Sequence, residues 1–163
     1  MDSIQAWLPP HDGILPKWLL FVCISTVRNC DPKLISNQVS IVSVANSMQA
    51  YATLAYTQKV YLGPKSPGKT PSTSNSPVTP LSARTFGTWT LLSSVIRLYA
   101  AYHISNPQMY QTAFWTYAIA FLHFNAEWLY FGTARLGPGL AGPLCVSTGS
   151  LTWMWLQWGY YLK

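Results

Sequence analysis

The sequence predicts an all-α fold: a small polytopic membrane protein whose four-helix transmembrane bundle carries one low-complexity loop. Half of the 163 residues are hydrophobic and only 9% are charged, against about 25% in soluble domains. Three long apolar segments alternate with short polar connections, and aromatic residues crowd the segment ends, as in the aromatic belts of membrane proteins. At this length, residues 1–163 form a single membrane domain.

The balance of charge indicates lipid rather than nucleic acid. The net charge of +6 arises because the chain has ten basic residues and only four acidic ones. The basic residues are scattered and form no stripe that could follow a phosphate backbone. Their positions near apolar runs indicate anionic lipid and membrane topology. Three cysteines are too few and too far apart for a disulfide framework or a zinc site.

The first predicted span, residues 18–54, follows a proline-rich N-terminal segment of residues 1–17 and is interrupted. It opens as apolar as a membrane helix, then becomes polar and charged within residues 22–38. Charged side chains there would not sit comfortably in hydrocarbon. We interpret residues 22–38 as a probable insertion, because joining Phe21 to Val39 would give one span of about 20 residues.

The origin of this insertion has two interpretations. The dipeptide Val22-Cys23 can be encoded by GTATGT and Gln38 by CAG, which are common intron boundaries, so the segment could be a translated, unspliced intron. If it is instead a true insertion, we expect a short interfacial helix near residues 17–27, a polar loop and a marginal span from Val39.

The remaining spans follow a proline-, serine- and threonine-rich segment, residues 62–83, which predicts a flexible loop. The spans are predicted at about residues 86–102, 109–131 and 140–162. Each approaches the ~20 residues needed to cross ~30 Å of hydrocarbon. Their short connections force neighbouring helices to be antiparallel, which predicts a compact bundle.

The stretch GPGLAG matches the dinucleotide-binding pattern G-x-G-x-x-G through Gly137, Gly139 and Gly142. That fingerprint requires a preceding strand and an acidic residue about 20 positions further on. Here a predicted membrane helix precedes it and no acidic residue follows. We therefore interpret the glycines as a tight loop that lets two helices approach closely.

Arg97 and Glu127 are the two charged residues deep in the later apolar segments. Because a charge within a membrane is usually paired or faces protein, they could pair between neighbouring helices with His123 beside them. Alternatively, each could extend to an interface, since both lie near the ends of their segments. His123 and Glu127 share a helix face, but no second such pair exists to complete a metal site. The sequence predicts no catalytic residue, cofactor or metal.

Polar and small residues in the spans are suited to contacts between helices. Asn46 and Gln49 could hydrogen-bond to a neighbouring helix, and Ser93 and Ser94 allow close packing.

Three blocks of sequence resemble the ergosterol biosynthetic protein 28 family. They are Arg84-Thr85-Phe86-Gly87-x-Trp89-Thr90, Ser93-Ser94-Val95-Ile96-Arg97 and His123-Phe124-x-x-Glu127. The N-terminal segment is also similar to that of the fungal members of the family. Asn46-Ser-Met-Gln49 is similar to the first-helix signature of the family. The resemblance covers nearly all of the chain except the loop and residues near 22–38.

This resemblance implies a multi-pass protein of the endoplasmic reticulum membrane that acts as a non-catalytic scaffold in sterol synthesis. The implied partners are the sterol C-4 methyl oxidase, the sterol C-4 decarboxylating dehydrogenase, the 3-keto sterol reductase and the sterol C-24 methyltransferase. Two alternatives remain open: an isomerase-like sterol enzyme using His123 and Glu127, or a lipid-binding carrier. The candidate residues for polar packing or interaction are Asn46, Gln49, Arg84, Thr85, Gly87, Trp89, Ser93, Ser94, Arg97, His123 and Glu127.

Positive charges predict the orientation of the bundle. Lys59, Lys65, Lys69 and Arg84 place the loop of residues 62–83 in the cytosol, although Lys17 favours the opposite orientation. Arg135 is then also cytosolic, and both termini are luminal.

Overall fold

The computed structural model describes residues 13–25, 42–63 and 76–162. All regular structure in these ranges is helical, which confirms the predicted all-α class. Predictions for most of the N-terminal segment, the insertion and the low-complexity loop lie outside the described residues. The elements are α1 (Ile14–Ser25), α2 (Val42–Ala52), α3 (Ala55–Val60), α4 (Pro80–Tyr102), α5 (Pro107–Asn125), a π-helical turn (Ala126–Tyr130), α6 (Pro138–Leu156) and α7 (Trp158–Tyr161).

Helix α4 begins at Pro80, inside the segment predicted as a flexible loop. The reason is a capping box: the Thr79 side chain accepts a hydrogen bond from the Ser82 amide, and the Ser82 hydroxyl oxygen accepts one from the Thr79 amide. Proline at the first helical position adds a preset φ angle. The low-complexity composition therefore hid a strong helix start.

The connection between α4 and α5 is short and capped. Helix α4 ends at Tyr102, and the Asn106 side chain accepts a hydrogen bond of 3.1 Å from the Met109 amide at the start of α5. Pro107 then occupies the first helical position. A connection of this length makes α4 and α5 antiparallel neighbours.

Two hydrophobic cores stabilise opposite ends of the bundle. The first joins the C-terminal part of α4 to the start of α5 and the end of α6, and the second joins the end of α5 to the start of α6. The first contains Leu15, Leu19, Ala100, Ala101, Ile104, Tyr110, Ala113, Tyr117, Met154 and Tyr161. The second contains Val60, Ala120, Phe124, Ala134 and Leu140.

Helices α1 and α2 both pack against α4, at different heights. Leu15 and Leu19 of α1 belong to the same core as Ala100 near the C-terminal end of α4. Ala50 of α2 approaches Gly87 near the other end of α4. The two short helices thus pack against different parts of one long helix. Whether residues 22–38 are an insertion stays a prediction.

Glycines govern two close approaches. A Cβ atom at Gly139 would lie 2.2 Å from the Lys59 carbonyl oxygen, so the start of α6 touches the backbone of α3. The close approach expected of these glycines is therefore confirmed at Gly139, whereas the expected tight loop is wrong, because α6 begins at Pro138 and only Gly137 of GPGLAG precedes it. Gly142 has no neighbouring atom within 4 Å of such a Cβ, so it makes no comparable contact.

In the part of the chain that the structure describes, no helix combines the length and the apolar character needed to cross a membrane. The four-helix transmembrane bundle therefore stays a prediction.

Replacing Gly87 with leucine is expected to destabilise the bundle by about 1–3 kcal/mol, the usual range for overpacking. Even a Cβ atom there would lie 3.0 Å from the Ala50 Cβ and 3.1 Å from the Ser47 carbonyl oxygen. Thermal unfolding in detergent, followed by circular dichroism, measures the effect. The matched control is Gly149→Leu, also within a helix but with no atom near its Cβ. Equal unfolding temperatures for the two variants would contradict the close contact of α2 with α4.

Candidate functional site

A cavity of about 700 Å³ lies among the helices of the described chain. Its walls come from α4, α5 and the start of α6, with contributions from α3. Aromatic rings and small residues dominate the lining, and Arg97 and Lys59 supply positive charge. The lining residues include Tyr56, Lys59, Phe86, Trp89, Thr90, Ser93, Ser94, Arg97, Tyr117, Phe124, Gly139, Pro143, Val146 and Ser147.

Neutral groups hold Arg97 in place at this cavity. Its Nε donates a hydrogen bond of 3.0 Å to the Thr116 hydroxyl oxygen, and its Nη2 lies 3.4 Å from the Thr116 carbonyl oxygen. The guanidinium carbon lies 4.0 Å from the centre of the Tyr117 ring, a cation–π contact. Within the described ranges, Arg97 forms no ion pair, so no carboxylate of these residues compensates its charge.

Glu127 has other partners, so the pairing of Arg97 with Glu127, one of the two alternatives that the sequence left open, is not formed in this structure. The Glu127 carboxylate accepts a hydrogen bond from the Thr133 hydroxyl, and its carbonyl accepts one of 3.1 Å from the Ala134 amide. The antiparallel arrangement explains the separation, because Arg97 lies beside Thr116. Glu127 follows Thr116 by eleven positions, or about 16 Å along a helix.

Glu127 belongs to a polar cluster at the other end of α5, together with His123 and Tyr61. His123 Nε2 and the Tyr61 hydroxyl share a hydrogen bond of 2.7 Å. Burial, followed by the nearby charge of Glu127, raises the pKa of Tyr61 well above its ordinary value. The phenol therefore stays protonated at neutral pH and is available as a donor.

Aromatic rings surround the imidazole of His123. The centres of the Trp89 and Phe124 rings lie 5.3 Å and 5.4 Å from the centre of the His123 ring. Trp89 and Phe124 also line the cavity. Aromatic rings, rather than the imidazole, form this part of the cavity wall.

Backbone contacts attach the segment after α3 to the connection before α6. The Gly63 amide donates to the Thr133 carbonyl at 2.9 Å, and Arg135 Nε donates to the Gly63 carbonyl at 2.8 Å. Gly63 has a φ angle of 78°, a conformation that glycine adopts without strain. Lys59 and Arg135 consequently lie at the same end of the bundle.

The other predicted residues divide between the interior and the surface. Ser93 is buried, Ser94 lines the cavity, and Gly87 contacts α2. Arg84 and Thr85 are exposed. Gln49 is half-buried on α2, whereas Asn46 lies on the same helix with its side chain outside the described part.

The sequence did not predict the hydrogen-bond partners of His123, Arg97 and Glu127. These partners are Tyr61, Thr116 and Thr133. Thr116 had a usable signal, since it is a polar residue in an apolar segment. Tyr61 and Thr133 lie in connections without periodicity, and nothing in the local sequence marks their contacts. In the described ranges, no three His, Cys, Asp or Glu side chains are grouped so that they could hold a metal ion.

The fold and site define a small all-α bundle with an arginine-containing cavity and a polar cluster at one end. A family model described as Erg28 like protein matches residues 15–152, and the chain belongs to this family. The resemblance read from the sequence blocks is confirmed.

Individual relatives agree with this family. The chain is 46% identical over 153 residues to "Ergosterol biosynthetic protein 28" of Candida albicans, covering 94% of this chain and 91% of the relative. It is 45% identical over 150 residues to the protein of that name from Saccharomyces cerevisiae, covering 91% and 83%. The human "Ergosterol biosynthetic protein 28 homolog" is 39% identical over 118 residues, covering 71% and 76%. None of these names is that of an enzyme, and no solved structure matches the chain.

Replacing Tyr61 with phenylalanine is expected to destabilise the protein by about 1 kcal/mol, because it removes one hydrogen bond and leaves His123 without that partner. The control is Tyr130→Phe, at a position 84% exposed. Unfolding in detergent at neutral pH measures both variants. Equal stability of the two variants would contradict a structural role for the Tyr61–His123 bond.

The same pair of variants tests how the stability of the protein depends on pH. Since the folded state raises the pKa of Tyr61, the unfolded chain loses this proton first, at a pH of about 10. The proton-linked stability is present in full below this pH and is lost as the pH rises above it. Tyr61→Phe should therefore show a flatter decline at alkaline pH than Tyr130→Phe.

Proposed function

We propose that this protein is a non-catalytic scaffold of the endoplasmic reticulum membrane that tethers the enzymes of sterol C-4 demethylation. The proposed partners are the sterol C-4 methyl oxidase, the C-4 decarboxylating dehydrogenase and the 3-keto sterol reductase, with the C-24 methyltransferase as a further one. Membership of a family whose relatives are named ergosterol biosynthetic protein 28 supports a role in ergosterol biosynthesis.

The exterior of the bundle is the observation that carries the membrane part of the proposal. Large apolar side chains are exposed on each of the three long helices, including Leu92 at 59%, Trp115 at 61% and Leu156 at 74%. Large apolar side chains exposed on every long helix are typical of membrane or protein interaction surfaces. The proposal rests on this exterior rather than on the hydropathy of any single helix.

The polar cluster favours a scaffold over an isomerase-like enzyme. His123 is hydrogen-bonded to Tyr61, and Glu127 to Thr133, so both groups stabilise contacts between the helices and their connections. Trp89 and Phe124 form the cavity wall next to His123. An acid and base pair for isomerisation would have to reach a substrate within hydrogen-bond distance.

The start of α4 offers a surface for a partner. Arg84 and Thr85 belong to the block by which the chain resembles its family, and both are exposed there beside Leu81, which is 67% exposed. The Thr85 hydroxyl is bonded only within its own helix, to the Leu81 carbonyl. A positive charge beside an apolar side chain fits a partner that presents an acidic residue at the membrane surface.

We expect Arg84→Glu to reduce co-purification of at least one proposed partner enzyme several-fold, because it reverses the charge of this surface. The measurement is affinity purification of the full-length protein from detergent-solubilised membranes, with each enzyme quantified. Lys17→Glu, an equal charge reversal at an exposed position of α1, is the control. Absence of all the proposed enzymes from the wild-type purification would refute the scaffold. Isomerase turnover by the purified protein, abolished in Glu127→Gln, would support the enzymatic alternative.

The proposed topology predicts the outcome of glycosylation mapping. A sequon inserted within residues 62–83 should stay unmodified in cells, because this loop is proposed to be cytosolic. A sequon appended through a spacer to the C-terminus should be glycosylated, since the termini are proposed to be luminal. The reverse pattern would invert the topology, and modification at both sites would contradict the odd number of spans, three, proposed between them.

A further inference from the structure

The cavity follows one face of α4 as an elongated site. The lining residues Phe86 and Arg97 are eleven positions apart, or about 16 Å along the helix. Its volume of about 700 Å³ lies within the ~300–1,000 Å³ typical of small-molecule sites. Rings from α4 and α5 make the walls apolar and rigid, so they fit a rigid hydrocarbon body.

Arg97 contributes a positive charge at one end of this cavity. Its contacts with Thr116 and Tyr117 use neutral acceptors and a ring face, and Nη1 has no hydrogen-bond partner among the described residues. A half-buried guanidinium without a carboxylate partner favours an anionic ligand, because charge-assisted bonds of the Arg–carboxylate type are strong and directional. The hydroxyl-bearing residues Thr90, Ser93 and Ser94 line the same side.

We propose that this cavity binds a sterol carboxylic acid, with the carboxylate on Arg97 and the ring system between Trp89, Phe124 and Tyr117. The choice of a sterol rests on the proposed function. A methyl carbon can leave as CO₂ only after it has been oxidised to a carboxylate. The product of the proposed methyl oxidase, and the substrate of the proposed decarboxylating dehydrogenase, is therefore a sterol acid. The scaffold would retain the charged compound that passes between two of its partners.

Equilibrium binding to the full-length protein in detergent micelles tests the proposal. The probes are a radiolabelled sterol carrying a carboxylate at C-4 and its methyl ester, which has the same body without the charge. We expect saturable binding of the acid, and about ten- to a hundredfold weaker binding to Arg97→Gln, the range for a lost bond to a charged group. The ester should bind equally to the wild type and to this variant.

Two further variants separate ligand binding from folding. Lys17→Gln removes a positive charge at an exposed position outside the cavity lining and should bind the acid like the wild type. Ser93→Phe places a ring in the cavity and should weaken the binding of both probes. If Arg97→Gln fails to fold, Ser93→Phe still decides, because unchanged binding of the acid to it would overturn the proposal.

Two other outcomes would overturn the proposal that the cavity binds a sterol acid. Equal effects of Arg97→Gln on the acid and the ester would show that the guanidinium does not bind the carboxylate. Saturable binding of phosphatidic acid, together with no saturable binding of the sterol acid, would assign the anionic site to a phospholipid headgroup. The scaffold is tested separately, since Arg97→Gln should still co-purify with the enzymes. If the wild-type protein does not co-purify with the enzymes, the scaffold is refuted, while the measured binding of the acid still stands.

Discussion

The register of the antiparallel pair α4 and α5 is the constraint on which both candidate sites depend. The short capped connection between Tyr102 and Pro107 sets this register. It places Arg97 beside Thr116 and Tyr117, and it places Trp89 beside His123 and Phe124. A shift of one helical turn between these helices would separate both sets of partners at once.

The bundle keeps a few polar side chains inside and exposes many of its large apolar side chains. Polar groups connect elements at defined points: Trp18 Nε1 donates to the Ser150 hydroxyl at 2.9 Å, and the Tyr110 hydroxyl donates to the Met154 carbonyl at 2.6 Å. Hydrogen bonds between helices are directional, whereas contacts with the apolar exterior are not. This division suits a protein whose surface contacts other apolar surfaces while its interior keeps one arrangement.

The two cores and the cavity between them have complementary roles. The cores contain tightly packed small residues and rings at opposite ends, around Ala100 and Ala120. The cavity lies where small residues of α6, such as Gly139 and Ser147, face rings of α4 and α5. Small side chains on one helix opposite rigid rings on another leave a space that the rings cannot collapse to fill. This accounts for a cavity of this size without a separate domain.

The sequence by itself determined the helical class, the three later helical segments and the family, because apolar runs, turn residues and the family blocks are local signals. It also identified Arg97, His123 and Glu127 as residues to examine, since charged and polar groups are rare in apolar segments. The partners of these residues were decided only by the tertiary structure. The helix register moved Arg97 and Glu127 to different levels, and the π-helical turn joined Glu127 to Thr133. Tyr61 reached His123 from a connection 62 positions earlier, a contact that no local pattern encodes.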